Sequence, residues 1–302
     1  MFEKILFPID FSLHSDTIVK CIPELKRAGM EEAILVHVIN PTETVLWANV
    51  QETIADMKKN AEDKMEEIIS EILSPPAGIK AKAMTAVGLP YQVILKIAEE
   101  DKASLIVMGS HGRSFMEGAI LGSVTNSIIR QSKVPVLIAK LKFIEDKGEK
   151  KPVCLGMKNI FRKVLYPTDF SAYSRSVLQM IRHLEKAGIE EVVVVHIQDT
   201  TKLFPHLKHK MREFNEIDSE RLEEIKNQLE LAGYKAKNIL KEGVPFVEIN
   251  KIAEEEDVSL ILLSSRGKSA VKEALMGSIS ESIARDHIRP VMIIPKNWKM
   301  VD

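Results

Sequence analysis

FEKILFPIDFSLHS at residues 2–15 returns as FRKVLYPTDFSAYS at residues 161–174, an offset of 159. Farther along, VGLPYQVILKIAEEDKASLIVMGSHGRS at 87–114 is answered by EGVPFVEINKIAEEEDVSLILLSSRGKS at 242–269, an offset of 155. Solenoid repeats run about 20–50 residues, so a period this long means two whole domains in one chain. A chemical feature found at the matching place in both copies is therefore weighted above one found once.

Within each copy, short β-branched and apolar runs alternate with longer helical patterns. The strand candidates are KILFPI, AILVHVI, IKAKAM, SLIVMG and VPVLIA, then KVLYPT, VVVVHI, YKAKNIL, SLILLS and PVMIIP. Most are nearly continuous hydrophobic runs, as in strands buried on both faces. Between them lie amphipathic segments such as 91–100, with Val93, Ile94, Ile97 and Ala98 on one face. This alternation predicts a parallel sheet with helices on both sides, joined by right-handed crossovers. The fold class is thus α/β: two tandem, doubly wound, five-stranded parallel-sheet domains. Repeat 1 is assigned to 1–141 and repeat 2 to 160–302, with a charged linker carrying Gly148, Pro152 and Gly156 at 142–159. The fifth strands, VPVLIAK and RPVMIIPK, are apolar edges, and their pairing into a pseudo-twofold intrachain dimer would protect them.

Composition narrows the function classes. The 302 residues carry 45% hydrophobic and 28% charged residues, as in ordinary globular domains. A net charge of −1 and 5% aromatics favour neither nucleic acid nor an acidic membrane surface. No run approaches the 18 or so apolar residues of a membrane span, and the N-terminal run Ile5-Leu6-Phe7 is closed at once by Pro8 and Asp10. The two cysteines, Cys21 and Cys154, lack metal or redox spacing. Cys21 reads as a buried thiol on a helix face with Ile18, Ile22 and Leu25. A cytoplasmic location is expected.

Ligands of open α/β sheets bind beyond the carboxyl ends of the strands. Asp10 and Asp169 end the first strand of each copy. A carboxylate there accepts hydrogen bonds from a sugar hydroxyl or exocyclic amine, or caps the helix that follows; position alone leaves both readings open. After strand four comes GSHGRSFMEGAILGSVTNSI at 109–128. Its glycines free the backbone for a close approach, Ser123 and Thr125 offer hydroxyls, and a helix N-terminus directs amides at an anion. His111 and Arg113 add basic character. Repeat 2 answers with SSRGKSAVKEALMGSISESI at 264–283, where Arg266 and Lys268 keep the positive charge and Ser264 replaces Gly109.

The spacing Gly109-x2-Gly112-x9-Gly122-Ser123 resembles the nucleotide-binding motif of the universal stress protein family. The Asp closing strand one, the VHVI end of strand two and the final VPVLI strand match as well, and the likeness covers both repeats. The resemblance implies a Rossmann-like, adenine nucleotide alpha-hydrolase-like fold with an ATP or AMP site, and Mg²⁺ or Mn²⁺ alongside a triphosphate. Residue by residue it implies Asp10 and the Val38 backbone on the adenine and ribose side. Gly109, Gly112, Gly122, Ser123 and Val124 would wrap ribose and phosphates, with Thr125 nearby. In repeat 2 the matching positions are Asp169, Ile197, Gly267, Gly277, Ser278 and Ile279. If position 109 needs a left-handed backbone or a close ligand approach, Ser264 weakens the second site.

Other mechanisms lack their residues. Neither copy has the GxxxxGK[ST] of a P-loop, GxGxxG after strand one, or the acidic residues of a receiver domain. His37 and His196 recur at the end of strand two without a neighbouring ligand spacing and read as packed histidines. His206 and His209 are a possible surface zinc pair. The expected function is a nucleotide-binding regulatory protein, not an enzyme, whose state is read by a protein partner. Slow ATP hydrolysis at the same site, or an interaction module without nucleotide, are the alternatives. A further homodimer is compatible with either.

Overall fold

Lys4–Pro8 forms strand β1 because Ile5, Leu6 and Phe7 place apolar, β-favouring side chains on both faces, and all three are buried. Pro8 and the turn after it end the strand. The same residue pattern builds Lys163–Pro167 in the second copy. The computed structural model describes residues 2–44, 50–73, 77–110, 121–146, 149–155, 157–203, 208–267, 276–286, 288–296 and 298. The chain divides into two units, Met1–Lys158 and Asn159–Asp302.

Unit 1 runs β1, α1 (Leu13–Val19), β2 (Glu32–Ile39), α2 (Pro41–Thr44), α3 (Val50–Ile68), β3 (Lys80–Val87), α4 (Pro90–Glu100), β4 (Leu105–Gly109), α5 (Ser123–Gln131), β5 (Val136–Asp146) and β6 (Glu149–Leu155). A 3-10 segment, Ile22–Ala28, follows α1. The strands order as β3-β2-β1-β4-β5, all parallel, with β6 antiparallel against β5. Strand order reverses at β1, so the ends of β1 and β4 open a crevice.

Unit 2 runs β7 (Lys163–Pro167), α6 (Ala172–His183), β8 (Glu191–Asp199), α7 (Thr200–Leu203), α8 (Met211–Leu231), β9 (Lys235–Gly243), α9 (Pro245–Glu255), β10 (Leu260–Ser264), α10 (Ser278–Asp286) and β11 (Val291–Ile294). Its order, β9-β8-β7-β10-β11, repeats that of unit 1. The doubly wound parallel sheet read from the sequence is thus present in both units.

The strand-to-helix connection before α4 explains one of the matched glycines. Gly88 has φ +150°, and a β-carbon there would stand 2.9 Å from Val93 Cγ2. Gly243 has φ +152°, and its β-carbon would stand 2.7 Å from Glu248 Cγ. Each is followed two residues later by a proline at the first helical turn, where its missing N–H costs nothing. The helices then bury Ile94, Ile97 and Ala98, and Ile249, Ile252 and Ala253, against the sheet. Each fully buried Ile contributes about 1.5–3 kcal/mol.

Two expectations differ from the structure. Part of the segment assigned as the charged linker is a hairpin arm: β5 continues to Asp146 and β6 returns beside it, Lys140 facing Leu155 and Asp146 facing Glu149. Antiparallel strands are joined by a short turn and paired through the backbone, so the arm forms without the continuous apolar runs of the parallel strands. Cys21 is not on a continuous helix face. The α-helix stops at Val19, Pro23 opens the 3-10 segment, and Cys21 is half-buried between them.

Candidate functional site

The first strand of each unit ends in the same backbone device. Asp10 Oδ1 accepts from Ser12 N at 3.0 Å, and Asp169 Oδ1 accepts from Ser171 N at 3.0 Å. Between them Phe11 and Phe170 take left-handed φ values of 55° and 59°. A bulky residue rarely adopts that conformation, and such strain persists where the surroundings hold it. The next serines cap the following helices, accepting from Ser15 N and Ser174 N at 3.2 Å. The serine, not the aspartate, is therefore the helix cap, and the aspartate fixes the turn that aims its own carboxylate.

The ends of the second strands carry the histidines. His37 Nδ1 donates to Ile9 O at 2.7 Å, and His196 Nδ1 donates to Thr168 O at 2.7 Å. The acceptor is a carbonyl, so the proton resides on Nδ1 in both. The rings lie against Phe11 and Phe170 at 4.7 and 4.4 Å between centroids. The packed, hydrogen-bonded reading of these histidines holds, and the phenylalanine contact gives the strained residue its partner.

At the end of β4, Thr125 Oγ1 donates to Gly109 O at 3.0 Å, and Gly122 N donates to Ser110 O at 2.9 Å. Unit 2 keeps the scheme: Ser280 Oγ donates to Ser264 O at 2.8 Å, and Gly277 N to Ser265 O at 3.0 Å. These bonds pin the N-termini of α5 and α10 beside their strand ends. Helix α5 begins after Gly122 without a side-chain cap, leaving its first amides to face the crevice.

In unit 1 these pieces surround one cavity of about 330 Å³. Asp10, Val38, Gly109, Gly122, Ser123, Val124 and Thr125 all line it. His111, Gly112 and Arg113 lie outside the described residues. Sequence reasoning missed the apolar wall, to which Ile18, Met57, Pro90 and Ile94 contribute. Their signal was the alternation of these helices around the first strand, without any motif. His37 also lines the cavity. Nearby, burial first and the Asp10 carboxylate second push the Asp16 carboxyl above its ordinary range. The Lys64 ammonium sits 5.3 Å from the Phe11 ring centre.

Unit 2 brings the matching residues together differently. Where Phe7 and Ile9 line the first cavity, Tyr166 and Thr168 stand in the second copy. Tyr166 is 1% exposed and its hydroxyl donates to Ser174 O at 2.7 Å. Burial pushes its pKa up to about 12. Thr168 Oγ1 accepts from Phe170 N at 3.1 Å. Asp218, on α8, accepts from Gln198 Nε2 at 3.0 Å and pairs with Arg221 Nη1 at 3.3 Å, and its carboxylate lies 3.5 Å from His196 Nε2. Arg221 also lies 5.5 Å from the Phe170 ring, as Lys64 does over Phe11. Three positions before these cations stand Asp218 in one unit and Ala61 in the other. The carboxylate partner of His196 was invisible in sequence because it lies on another element, 22 positions away.

Ser264 ends β10 in the strand, and neither it nor Gly109 has a left-handed φ. The conformational argument against serine at this position therefore falls away, leaving only the question of ligand approach. The Ser264 hydroxyl donates to the Arg266 carbonyl. Gly267 lies against Asp169, while Ile197 is 8% exposed and Ser278 and Ile279 open α10. Lys268 and His206 lie outside the described residues. Among the described residues no cluster of three or more His, Cys, Asp or Glu side chains could hold a metal, and no helix is long and apolar enough to cross a membrane.

The family model described as the universal stress protein family matches residues 1–140 and again 160–295. The chain belongs to the universal stress protein family. Among its relatives, the universal stress protein MJ0577 of Methanocaldococcus jannaschii is 36% identical over 159 residues, which span 47% of this chain and 97% of that protein. A universal stress protein of Mycolicibacterium smegmatis aligns along both domains, 22% identical over 96% of each chain. The crystal structure of a universal stress protein from Archaeoglobus fulgidus superposes with a TM-score of 0.74 at 26% identity, covering 98% of this chain and all of that one. The chain is therefore a tandem universal stress protein, with one family domain in each repeat.

Proposed function

We propose that the unit 1 cavity binds an adenine nucleotide, ATP or AMP, and that a protein partner reads the bound state. The observation that carries this reading is convergence. Seven residues from the ends of β1, β2 and β4 and the start of α5 line a single cavity whose other wall is apolar. Its volume, about 330 Å³, lies within the range of small-ligand pockets. The chemistry divides along the cavity. Ile18, Met57, Pro90 and Ile94 suit an aromatic base. The Asp10 carboxylate accepts from a ribose hydroxyl or the exocyclic amine. The amides of Ser123 and Val124 at the start of α5 meet a phosphate, favoured there by the helix dipole. With a triphosphate, Mg²⁺ or Mn²⁺ would be carried on the phosphate oxygens.

The second unit is the weaker site in this reading. Its tyrosine and threonine hydroxyls are already bonded within the protein, and Asp169 is packed on Gly267. A nucleotide entering there would have to break those contacts first, and each broken hydrogen bond lowers its affinity.

The test is to denature the purified chain, identify released small molecules by mass spectrometry, and titrate the emptied protein with ATP and AMP. About one adenine nucleotide per chain, lost in Asp10→Ala, supports the reading. No nucleotide released or bound, with or without Mg²⁺, would discard it in favour of a protein-interaction module.

A further inference from the structure

Cys21 and Cys154 are 133 positions apart, yet the fold brings the two thiols close enough for each to shift the protonation of the other. Two elements bring them together. Cys21 follows the C-terminal end of α1, and Cys154 lies on β6, the returning strand of the hairpin arm that packs against α1. Cys154 faces Leu141 across that hairpin, so its register is fixed by the ladder. Cys21 Sγ donates to Thr17 O at 3.5 Å, which holds it to the end of α1. Both are free thiols, and both are half-buried rather than sealed in the core.

We propose that Cys21 and Cys154 form a peroxide-sensitive dithiol that closes to an intrachain disulfide, tying the hairpin arm to α1. The neighbouring thiols act on each other, which lowers the pKa of Cys21 and raises that of Cys154. Cys21 is therefore the sulfur that attacks first. Its sulfur takes one oxygen of hydrogen peroxide as the O–O bond breaks, giving a sulfenic acid and one water. The Cys154 sulfur then attacks the Cys21 sulfur, its proton leaves with the displaced hydroxide as a second water, and the S–S bond forms. Two thiols and one peroxide become one disulfide and two waters. A thiol reductant reverses the step.

The location gives the bond a consequence. Ser15, Ile18 and Val19 of α1 line the unit 1 cavity, and Cys21 is two positions beyond Val19. The disulfide would fasten that wall from outside while leaving the cavity residues chemically unchanged. This inference is independent of which ligand the cavity takes.

The test uses the full chain, reduced, freed of reductant and exposed to hydrogen peroxide. Denaturation with N-ethylmaleimide, intact mass and peptide mapping then read the thiols. The expected result is a monomer lighter by two hydrogen atoms, unlabelled until reductant is added, with a linked peptide joining Cys21 to Cys154. In Cys154→Ser, the sulfenic acid on Cys21 should persist long enough for trapping by dimedone. Full labelling of both thiols after peroxide, or disulfides only between chains, would overturn the proposal. So would sulfenic acid on Cys154 with Cys21 untouched.

Discussion

The Asp169 carboxylate is packed on Gly267: a β-carbon built on that glycine would stand 2.6 Å from Asp169 Oδ2. No side chain fits that gap without moving a group that is itself tied to Ser171 N at 3.0 Å. Gly267→Ala should therefore destabilise the chain by about 1–3 kcal/mol, the usual cost of overpacking. Gly277→Ala should cost much less, because its β-carbon would meet nothing nearer than 3.6 Å. Urea unfolding of the two variants checks the order.

Buried tyrosines make the chain sensitive to base. Burial raises Tyr166 from 10.0 to about 12, and Tyr234 is raised to about 12 by the same cause. The folded state holds these protons longer than the unfolded state does. Their contribution is therefore complete below about pH 10 and is lost as pH rises toward 12. Tyr166→Phe removes one of the two titrations, so its unfolding free energy should fall less steeply between those values. The slope difference corresponds to about 1–3 kcal/mol over the window. Equal slopes in the two proteins would contradict the assignment.

Acid acts on a different cluster. Glu256 accepts from Lys237 Nζ at 2.5 Å and from Lys163 Nζ at 2.9 Å, and its side chain is only 16% exposed. The Lys237 bond first, and the Lys163 bond second, hold its carboxyl below the ordinary 4.5. A depressed folded pKa contributes stability above the unfolded value and loses it as pH falls through the folded one. Glu256→Gln should lower stability at neutral pH by about 1.5–3 kcal/mol, the range for hydrogen bonds to charged groups. It should also flatten the loss below about pH 4.5. Guanidinium unfolding across a pH series reads both effects.

Position 109 separates folding from binding. Gly109 ends β4 without a left-handed φ, and Ser264 occupies the matching strand end in unit 2. Gly109→Ser should then fold with an unchanged melting temperature. Nucleotide affinity should drop roughly tenfold or more if the ligand approaches that backbone closely, a loss of about 1.4 kcal/mol. Calorimetric titration beside a thermal melt distinguishes the two; unaltered affinity would show that the glycine is dispensable for binding.

What the sequence determined by itself was the repeating architecture. Runs such as Ile5-Leu6-Phe7 and Val192-Val193-Val194 can only be buried strands, and the proline-started helices between them can only cross over a parallel sheet. The residues around the unit 1 cavity were legible for the same local reason. Asp10, Gly109 and Gly122 sit at strand ends and a helix start, where a doubly wound sheet opens its crevice, and all three line the cavity. Only the tertiary structure decided what depends on contacts between distant elements. Asp218 meets His196 because α8 lies over the end of β8, and Cys154 meets Cys21 because the hairpin arm folds back on α1. The difference between the two sites is of this kind too. Tyr166 and Thr168 look like conservative exchanges for Phe7 and Ile9 until their hydroxyls are seen to bond within the protein. Backbone periodicity is written into neighbouring residues, whereas the partner of a buried polar group is set by packing, which no short stretch of sequence encodes.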